Sequence, residues 1–166
     1  MEQPHYIAYY ASPIGNIRIT CSNTCITEVH FLNKDETTGP ASPVLPDVLQ
    51  CCLDQLTAYF QGTLKNFNVP VCQQGTVFQE RVWNELLTIP FGKTISYLTL
   101  AKRLGDPKAI RAAASTNGKN NIAIIVPCHR VIGTHNDLVG YAGGLWRKKW
   151  LLDLETKITW GVQTLF

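Results

Sequence analysis

Residues 97–118 read Tyr-Leu-Thr-Leu-Ala-Lys-Arg-Leu-Gly-Asp-Pro-Lys-Ala-Ile-Arg-Ala-Ala-Ala-Ser-Thr-Asn-Gly, and two short helices are written into them. Tyr97, Leu100, Ala101 and Leu104 recur at i, i+3, i+4 and i+7, the stripe of a helix that buries one face. Gly105 ends that run, Asp106 caps the next helix and Pro107 opens it. The second helix continues through Ile110, Ala113 and Ala114, with Asn117-Gly118 predicted as a left-handed exit. Two short helices joined by a Gly-bearing turn make a helix-turn-helix pattern. The second helix has a small face (Ala109, Ala112, Ala113, Ala114, Ser115) with Lys102, Lys108, Arg111 and Lys119 around it. Such a helix suits close approach to a narrow groove in DNA, or equally an Ala-rich packing face with solvated lysines.

Upstream, Phe78, Val82, Trp83, Leu86 and Leu87 line a helix that stops before Pro90-Phe91-Gly92. Earlier still, the pattern changes to strands: Tyr6 to Tyr10, Ile17 to Thr20, and Ile26 to Leu32. Ser12-Pro13-Ile14-Gly15 and Ser22-Asn23 mark the turns of an antiparallel meander. Leu49, Leu53, Leu56 and Phe60 recur at helical spacing, and Gly62 stops that helix. The predicted fold is α+β: a small antiparallel-sheet α/β domain over residues 1–74, then a mainly helical domain with the helix-turn-helix over 75–166. At 166 residues, 45% apolar and 16% charged, the chain has enough apolar material for a core, which excludes a disordered or fibrous class. The net charge of +3 is unevenly spread. Residues 1–74 carry three basic and six acidic side chains, residues 75–166 twelve and six, which points any nucleic-acid surface to the second domain.

The opening Met1-Glu2-Gln3-Pro4-His5-Tyr6 has no basic region leading into an apolar stretch, so no secretory leader is read there. The apolar run Ile122–Val126 is far too short to span a bilayer. The chain is therefore expected to be an intracellular monomer, cytoplasmic or nuclear according to its host, with no membrane partner. Six cysteines (Cys21, Cys25, Cys51, Cys52, Cys72, Cys128) at irregular spacing are expected to be reduced thiols. Cys21, Cys25 and His30, with His5, fit no standard zinc spacing, and no metal or other cofactor is assigned.

The chemistry-bearing segment begins after Asn120-Asn121. Ile122-Ala123-Ile124-Ile125-Val126 reads as a buried strand that stops at Pro127 and delivers Cys128-His129-Arg130-Val131. A thiol beside an imidazole and a guanidinium can be stabilised as a thiolate; a core cysteine next to surface His and Arg is the plainer alternative. Neighbours on a regular strand face opposite sides, so His129 serves Cys128 only if the backbone bends after Pro127.

Pro127-Cys128-His129-Arg130-Val131, with Gly140-Tyr141-Ala142-Gly143-Gly144-Leu145 downstream, resembles the active-site signature of the O6-alkylguanine-DNA alkyltransferases (methylated-DNA–protein-cysteine methyltransferases). Phe91-Gly92-Lys93-Thr94-Ile95-Ser96-Tyr97, the Ala-rich segment after Arg111, Asn120, and Lys149-Trp150-Leu151-Leu152 with Glu155 fall in family order. The resemblance covers residues 76–156 well and the N-terminal domain through Ser12-Pro13-Ile14-Gly15. It implies direct, irreversible, single-turnover transfer of an alkyl group from O6-alkylguanine in double-stranded DNA to a cysteine, after the base is flipped out. Cys128 matches the nucleophile. His129, through a water, and Glu155 match the relay that takes the thiol proton, and Asn120 the residue that positions the thiol. Tyr97 matches the phenol that hydrogen-bonds the guanine, and Arg111 the finger that fills the vacated stack. Ala112 and Ser115 fall on the groove-facing helix. Val131 offers a carbonyl to the base, and Tyr141, Ala142 and Gly143 belong to the loop closing the pocket. The family's helix-turn-helix enters the minor groove.

Ala123, Leu98 and Thr116-Asn117 depart from residues found in some relatives. Taken without the resemblance, Tyr97 reads as core, Arg111 as surface charge and Glu155 as a solvated helix residue; the tryptophans read as packing and His135 as a loop residue. Two other functions fit parts of the sequence. A catalytically silent sensor of alkylated DNA shares the scaffold but lacks the nucleophile, which Cys128 retains. A cysteine-dependent hydrolase is suggested by Cys-His alone, yet no third orienting residue is evident from the sequence. The thioether formed by alkyl transfer has no good leaving group, so water cannot regenerate the thiol.

Overall fold

The computed structural model describes residues 4–161. Residues 1–3, part of the stretch searched for a leader, and 162–166, the end of the second predicted domain, lie outside them. The chain divides into two units: the residues through Gln73 together with Asn121–Ala123, and Gln74–Asn120 together with the residues from Ile124 onward. Among the described residues no helix is long and apolar enough to cross a membrane.

In the first unit, β1 (Tyr6–Ser12), β2 (Gly15–Cys21) and β3 (Ile26–Phe31) form the antiparallel meander, in the order β1-β2-β3. Ile17, Ile19 and Cys21 alternate into the core along β2, as a half-buried strand requires. Helix α1 (Asp47–Phe60) buries Leu49, Cys52, Leu56 and Tyr59. The stripe read from the sequence included Leu53 and Phe60, which instead flank this face and are half-buried; the Phe60 ring stacks on Tyr10 at 5.9 Å. A helix face is about 100° wide, so neighbouring stripes compete and packing selects between them.

The expectation of reduced cysteines fails for one pair. Ile26 N–H donates to Pro70 O (2.8 Å) and Cys72 N–H to Ile26 O (2.8 Å), a parallel bridge that lays Cys72 beside Cys25. The two form a disulfide across 47 residues of sequence. Irregular spacing hid this pair because a long-range backbone bridge, not sequence proximity, sets it. Cys21, Cys51, Cys52 and Cys128 are free thiols. Among the described residues no cluster of three or more His, Cys, Asp or Glu is placed to hold a metal ion.

The second unit begins with α2 (Val77–Leu86), opened by a reciprocal capping box between Thr76 and Gln79. The two-residue strand β4 (Ile95–Ser96) runs directly into α3 (Tyr97–Arg103), whose N-terminus Ser96 caps. Asp106 accepts from Lys108 N–H and starts a 3-10 turn at Pro107–Ala109, which leads into α4 (Ile110–Gly118). The predicted left-handed exit at Asn117-Gly118 is absent. Helix α4 runs through Gly118, and Lys119 closes it at φ −92°. Asn117 is buried, and its amide donates to Cys128 O (3.3 Å), an anchorage that keeps this last turn helical.

The predicted strand at Ile122–Val126 is also absent. Ile122 makes a single bridge to Val29. Beyond it, Ile124 sits at φ 70°, a conformation that a β-branched residue rarely adopts and that ends any extended run. Five apolar residues in a row, all but Ala123 buried, carry no information about backbone shape. A 3-10 turn at Cys128–Arg130 then feeds β5 (Val131–Ile132), and α5 (Leu145–Trp160) completes the unit.

Candidate active site

Strands β4 and β5 pair in parallel, Ile95 with Val131 and Ser96 with Ile132. Tyr97 follows β4 and the Cys128 turn precedes β5, so this short ladder sets phenol and thiol near one another. After Pro127 the backbone turns through the 3-10 segment Cys128–Arg130, so it does bend at the point where the sequence asked for a bend. Cys128 N–H donates to Val126 O (2.8 Å) and Arg130 N–H to Pro127 O (3.0 Å). Asn120 fixes the same segment, its amide donating to Val126 O (2.9 Å). Cys128 is 6% exposed. Burial pushes its thiol up, while a hydrogen bond from Asn120 and the charge of Lys148 pull the other way. The thiol is therefore held in its protonated form.

An imidazole lies one residue on. His129 is fully buried, and its Nε2 donates to Glu155 Oε2 (2.6 Å). Its Nδ1 is buried with no hydrogen-bond partner among the described residues. Burial depresses the imidazole below its usual value despite the pull of Glu155, so it is neutral at neutral pH. A proton held on Nε2 by a carboxylate leaves Nδ1 as the basic nitrogen. Glu155, 1% exposed, is no solvated helix residue. Burial alone would raise its carboxyl, but His129 and Arg130 hold it well below the carboxylate range. Arg130 grips it with Nε on Oε1 (2.8 Å) and Nη2 on Oε2 (3.2 Å), and Gly92 N–H adds a bond to Oε1 (3.1 Å). The third guanidinium arm, Nη1, donates to Ile89 O (2.7 Å). Such a satisfied buried network holds the imidazole in one orientation.

The sequence reading missed Lys148. Its ammonium is fully buried, donating to Val131 O (2.7 Å), Val139 O (3.1 Å) and Gly140 O (3.2 Å), and it lies 5.7 Å from the centre of the Tyr97 ring. Burial brings it down to about 8, and negative charge on Cys128 would pull it back up. The signal was present: Lys148, Leu151, Leu152, Glu155 and Thr156 form the buried stripe of α5, so the middle lysine of Arg147-Lys148-Lys149 shares a face with Glu155.

Tyr97 Oη donates to Val139 O (2.7 Å), and burial raises its phenol. The loop that carries Val139 thus engages Tyr97 Oη, and Lys148 ties the same loop carbonyl and that of Val131 to one ammonium. A carbonyl has two lone pairs, so Val131 keeps one for a second donor. Further along this loop Tyr141 is half-buried with its phenol pushed well up by burial, Gly143 O accepts from Arg147 Nη1 (3.0 Å), and Ala142 is exposed.

Helix α4 has two faces. Ala113, Thr116 and Asn117 are buried, with Trp83 Nε1 donating to Thr116 O (3.1 Å). Arg111, Ala112 and Ser115 are exposed, together with Lys102, Lys108 and Lys119. Through the bond from Asn117 to Cys128 O, the helix with this cationic face also holds the backbone of the thiol turn. Asn117 is a second residue whose role the sequence reading did not assign.

Two family models match the chain: the 6-O-methylguanine DNA methyltransferase ribonuclease-like domain over residues 5–73, and its DNA-binding domain over residues 77–157. The chain is 44% identical over 158 residues to a methylated-DNA–protein-cysteine methyltransferase of Mycobacterium tuberculosis, covering 93% of this chain and 94% of that one. It is 45% identical over 152 residues to one from Methanosarcina acetivorans, covering 90% and 97%. The Mycobacterium tuberculosis protein solved in complex with DNA superposes with a TM-score of 0.82 at 44% identity, covering 90% of this chain and 92% of that one. The chain belongs to the 6-O-methylguanine DNA methyltransferase family.

Proposed function

We propose that this protein repairs O6-alkylguanine in double-stranded DNA by moving the alkyl group, once and irreversibly, onto Cys128. The observation that carries the reading is a buried thiol followed directly by a neutral imidazole whose Nδ1 is open and whose Nε2 is fixed by an ionised Glu155. A water between Sγ and Nδ1 passes the thiol proton to His129, and Glu155 stabilises the imidazolium that forms. The thiolate attacks the alkyl carbon in line, the C–O bond breaks, and the electron pair goes to guanine. Tyr97 donates to the base as this charge develops, after giving up Val139 O. Asn120 and Lys148 stabilise the thiolate. Helix α4 lies along the minor groove, with Ala112 and Ser115 against it and Arg111 filling the gap left by the flipped base. Val131 O, Tyr141, Ala142 and Gly143 hold the base in its pocket. Because the substrate is genomic DNA, the protein works inside the cell, at the nucleoid or in the nucleus.

The test is stoichiometry. With duplex DNA carrying radiolabelled O6-methylguanine in tenfold excess, label on the protein should plateau at one methyl group per chain. Continued consumption of the lesion beyond one equivalent would show turnover and reject a suicide mechanism.

A further inference from the structure

The Cys25–Cys72 disulfide takes no part in alkyl transfer, and its two sulfurs sit in unlike surroundings. Cys72 is exposed, whereas Cys25 is 6% exposed. Buried Ser22 places its Oγ 3.5 Å from Cys25 Sγ. A disulfide sulfur carries no proton, so of the two only the hydroxyl can donate, and its single proton is shared with Cys25 O at 3.4 Å. Ser22 Oγ is held in turn by the N–H groups of Thr24 and Cys25 (3.2 Å each). Cys72 thus lies on the exposed side of the bond, and beside Cys25 sits a held hydroxyl that can turn its proton from Cys25 O to the sulfur as charge arrives there. Thiol exchange favours this asymmetry, because the better-stabilised sulfur leaves faster.

We infer that Cys72 and Cys25 form a reversible thiol-exchange site, at which a small-molecule thiol of the glutathione class attacks Cys72 and expels Cys25. The incoming thiolate forms a bond to Cys72 Sγ while the Cys72–Cys25 S–S bond breaks. The electron pair passes to Cys25 Sγ, which is stabilised by Ser22 and then takes a proton from solvent. The product is a mixed disulfide on Cys72. A second thiolate attacking the small-molecule sulfur completes reduction and releases the small-molecule disulfide; Cys25 thiolate attacking Cys72 Sγ reverses the first step. The backbone favours that reversal. The Ile26–Pro70 and Cys72–Ile26 hydrogen bonds do not depend on the disulfide, and Gln73 Oε1 accepts from Asn121 N–H on the same segment. Both cysteines therefore stay in register when the bond opens. Disulfides inside cells are mostly transient and redox-responsive, which suits a sulfur pair of this kind.

The experiment needs no DNA, so its outcome is independent of the alkyl-transfer reading. The full chain is equilibrated with glutathione and glutathione disulfide over a range of ratios, acid-quenched, blocked with N-ethylmaleimide and mapped by peptide mass spectrometry. The wild type should pass from disulfide to dithiol across the range, with the glutathionyl adduct on Cys72 at intermediate ratios. Removing the resolving thiol in Cys25→Ser should raise adduct on Cys72 about tenfold, and Cys72→Ser should leave Cys25 unmodified. Ser22→Ala should slow opening about threefold. Adduct on Cys25, a pair fully blocked by maleimide in oxidising buffer, or a disulfide that resists the whole range would overturn the proposal; an unchanged rate in Ser22→Ala would remove Ser22 from it.

Discussion

His129 sits between two opposed influences, and its proton balance sets a pH dependence. Its folded value lies below the ordinary 6.5, and that of Glu155 below the ordinary 4.5. In both windows the unfolded chain binds more protons than the folded one, so stability falls as the pH drops, beginning near 6.5 and continuing below 4.5. Denaturation midpoints taken from pH 8 to pH 3 should show this decline, and His129→Gln should remove the part that begins near 6.5. A wild-type midpoint flat from pH 7 to 5 would mean that His129 is not held neutral. Lys148 gives a second prediction at this scale. Lys148→Met removes one cation beside Cys128 and leaves three carbonyls without their donor, and should slow alkyl transfer about 100-fold. Alkylation of Cys128 by iodoacetamide should slow as well; unchanged iodoacetamide reactivity would mean that Lys148 does not act on the thiol. These two residues also mark how far the sequence was legible. Cys128 and His129 stand together in one motif. Lys148 becomes visible only when the stripe of α5 is traced, because a lysine on a helix is by default a solvated charge.

At the scale of the element, the junction of α3 and α4 was readable, since Gly105, Asp106 and Pro107 mark it by local chemistry, although Pro107 opens a 3-10 turn and α4 itself begins at Ile110. What local chemistry could not show was the end of α4, where Asn117 answers to Cys128 O, or the stretch around Ile124, where buried apolar residues turn instead of extending. The first depends on a partner in another segment, and the second on a backbone shape that a run of apolar residues does not encode. Helix α4 carries its own prediction. Arg111 is exposed on the face away from Ala113 and Asn117, so truncating it should leave the fold and the thiol intact. Arg111→Ala should slow transfer from duplex DNA at least about tenfold, while barely affecting reaction with an alkylated guanine supplied as the free base. Equal slowing on both substrates would place Arg111 outside base flipping.

Over the whole molecule, the net charge of +3 is an average of two unlike parts, since the excess of basic side chains lies in residues 75–166. A binding surface built from a handful of lysines and arginines releases few counterions. The logarithm of affinity for undamaged duplex should therefore fall linearly with the logarithm of salt concentration, with a slope of about −3 to −5. A titration showing no salt dependence would exclude this surface. The cysteine inventory needed the whole molecule too: composition counts six, but only the assembled first unit pairs Cys25 with Cys72. The central claim is that one thiol, Cys128, is the chemical target, and tandem mass spectrometry of the protein after exposure to O6-methylguanine duplex tests it most directly. S-methylcysteine should appear at position 128 in every modified chain. Methyl groups on Cys51, Cys72 or another residue, with Cys128 unmodified, would contradict it.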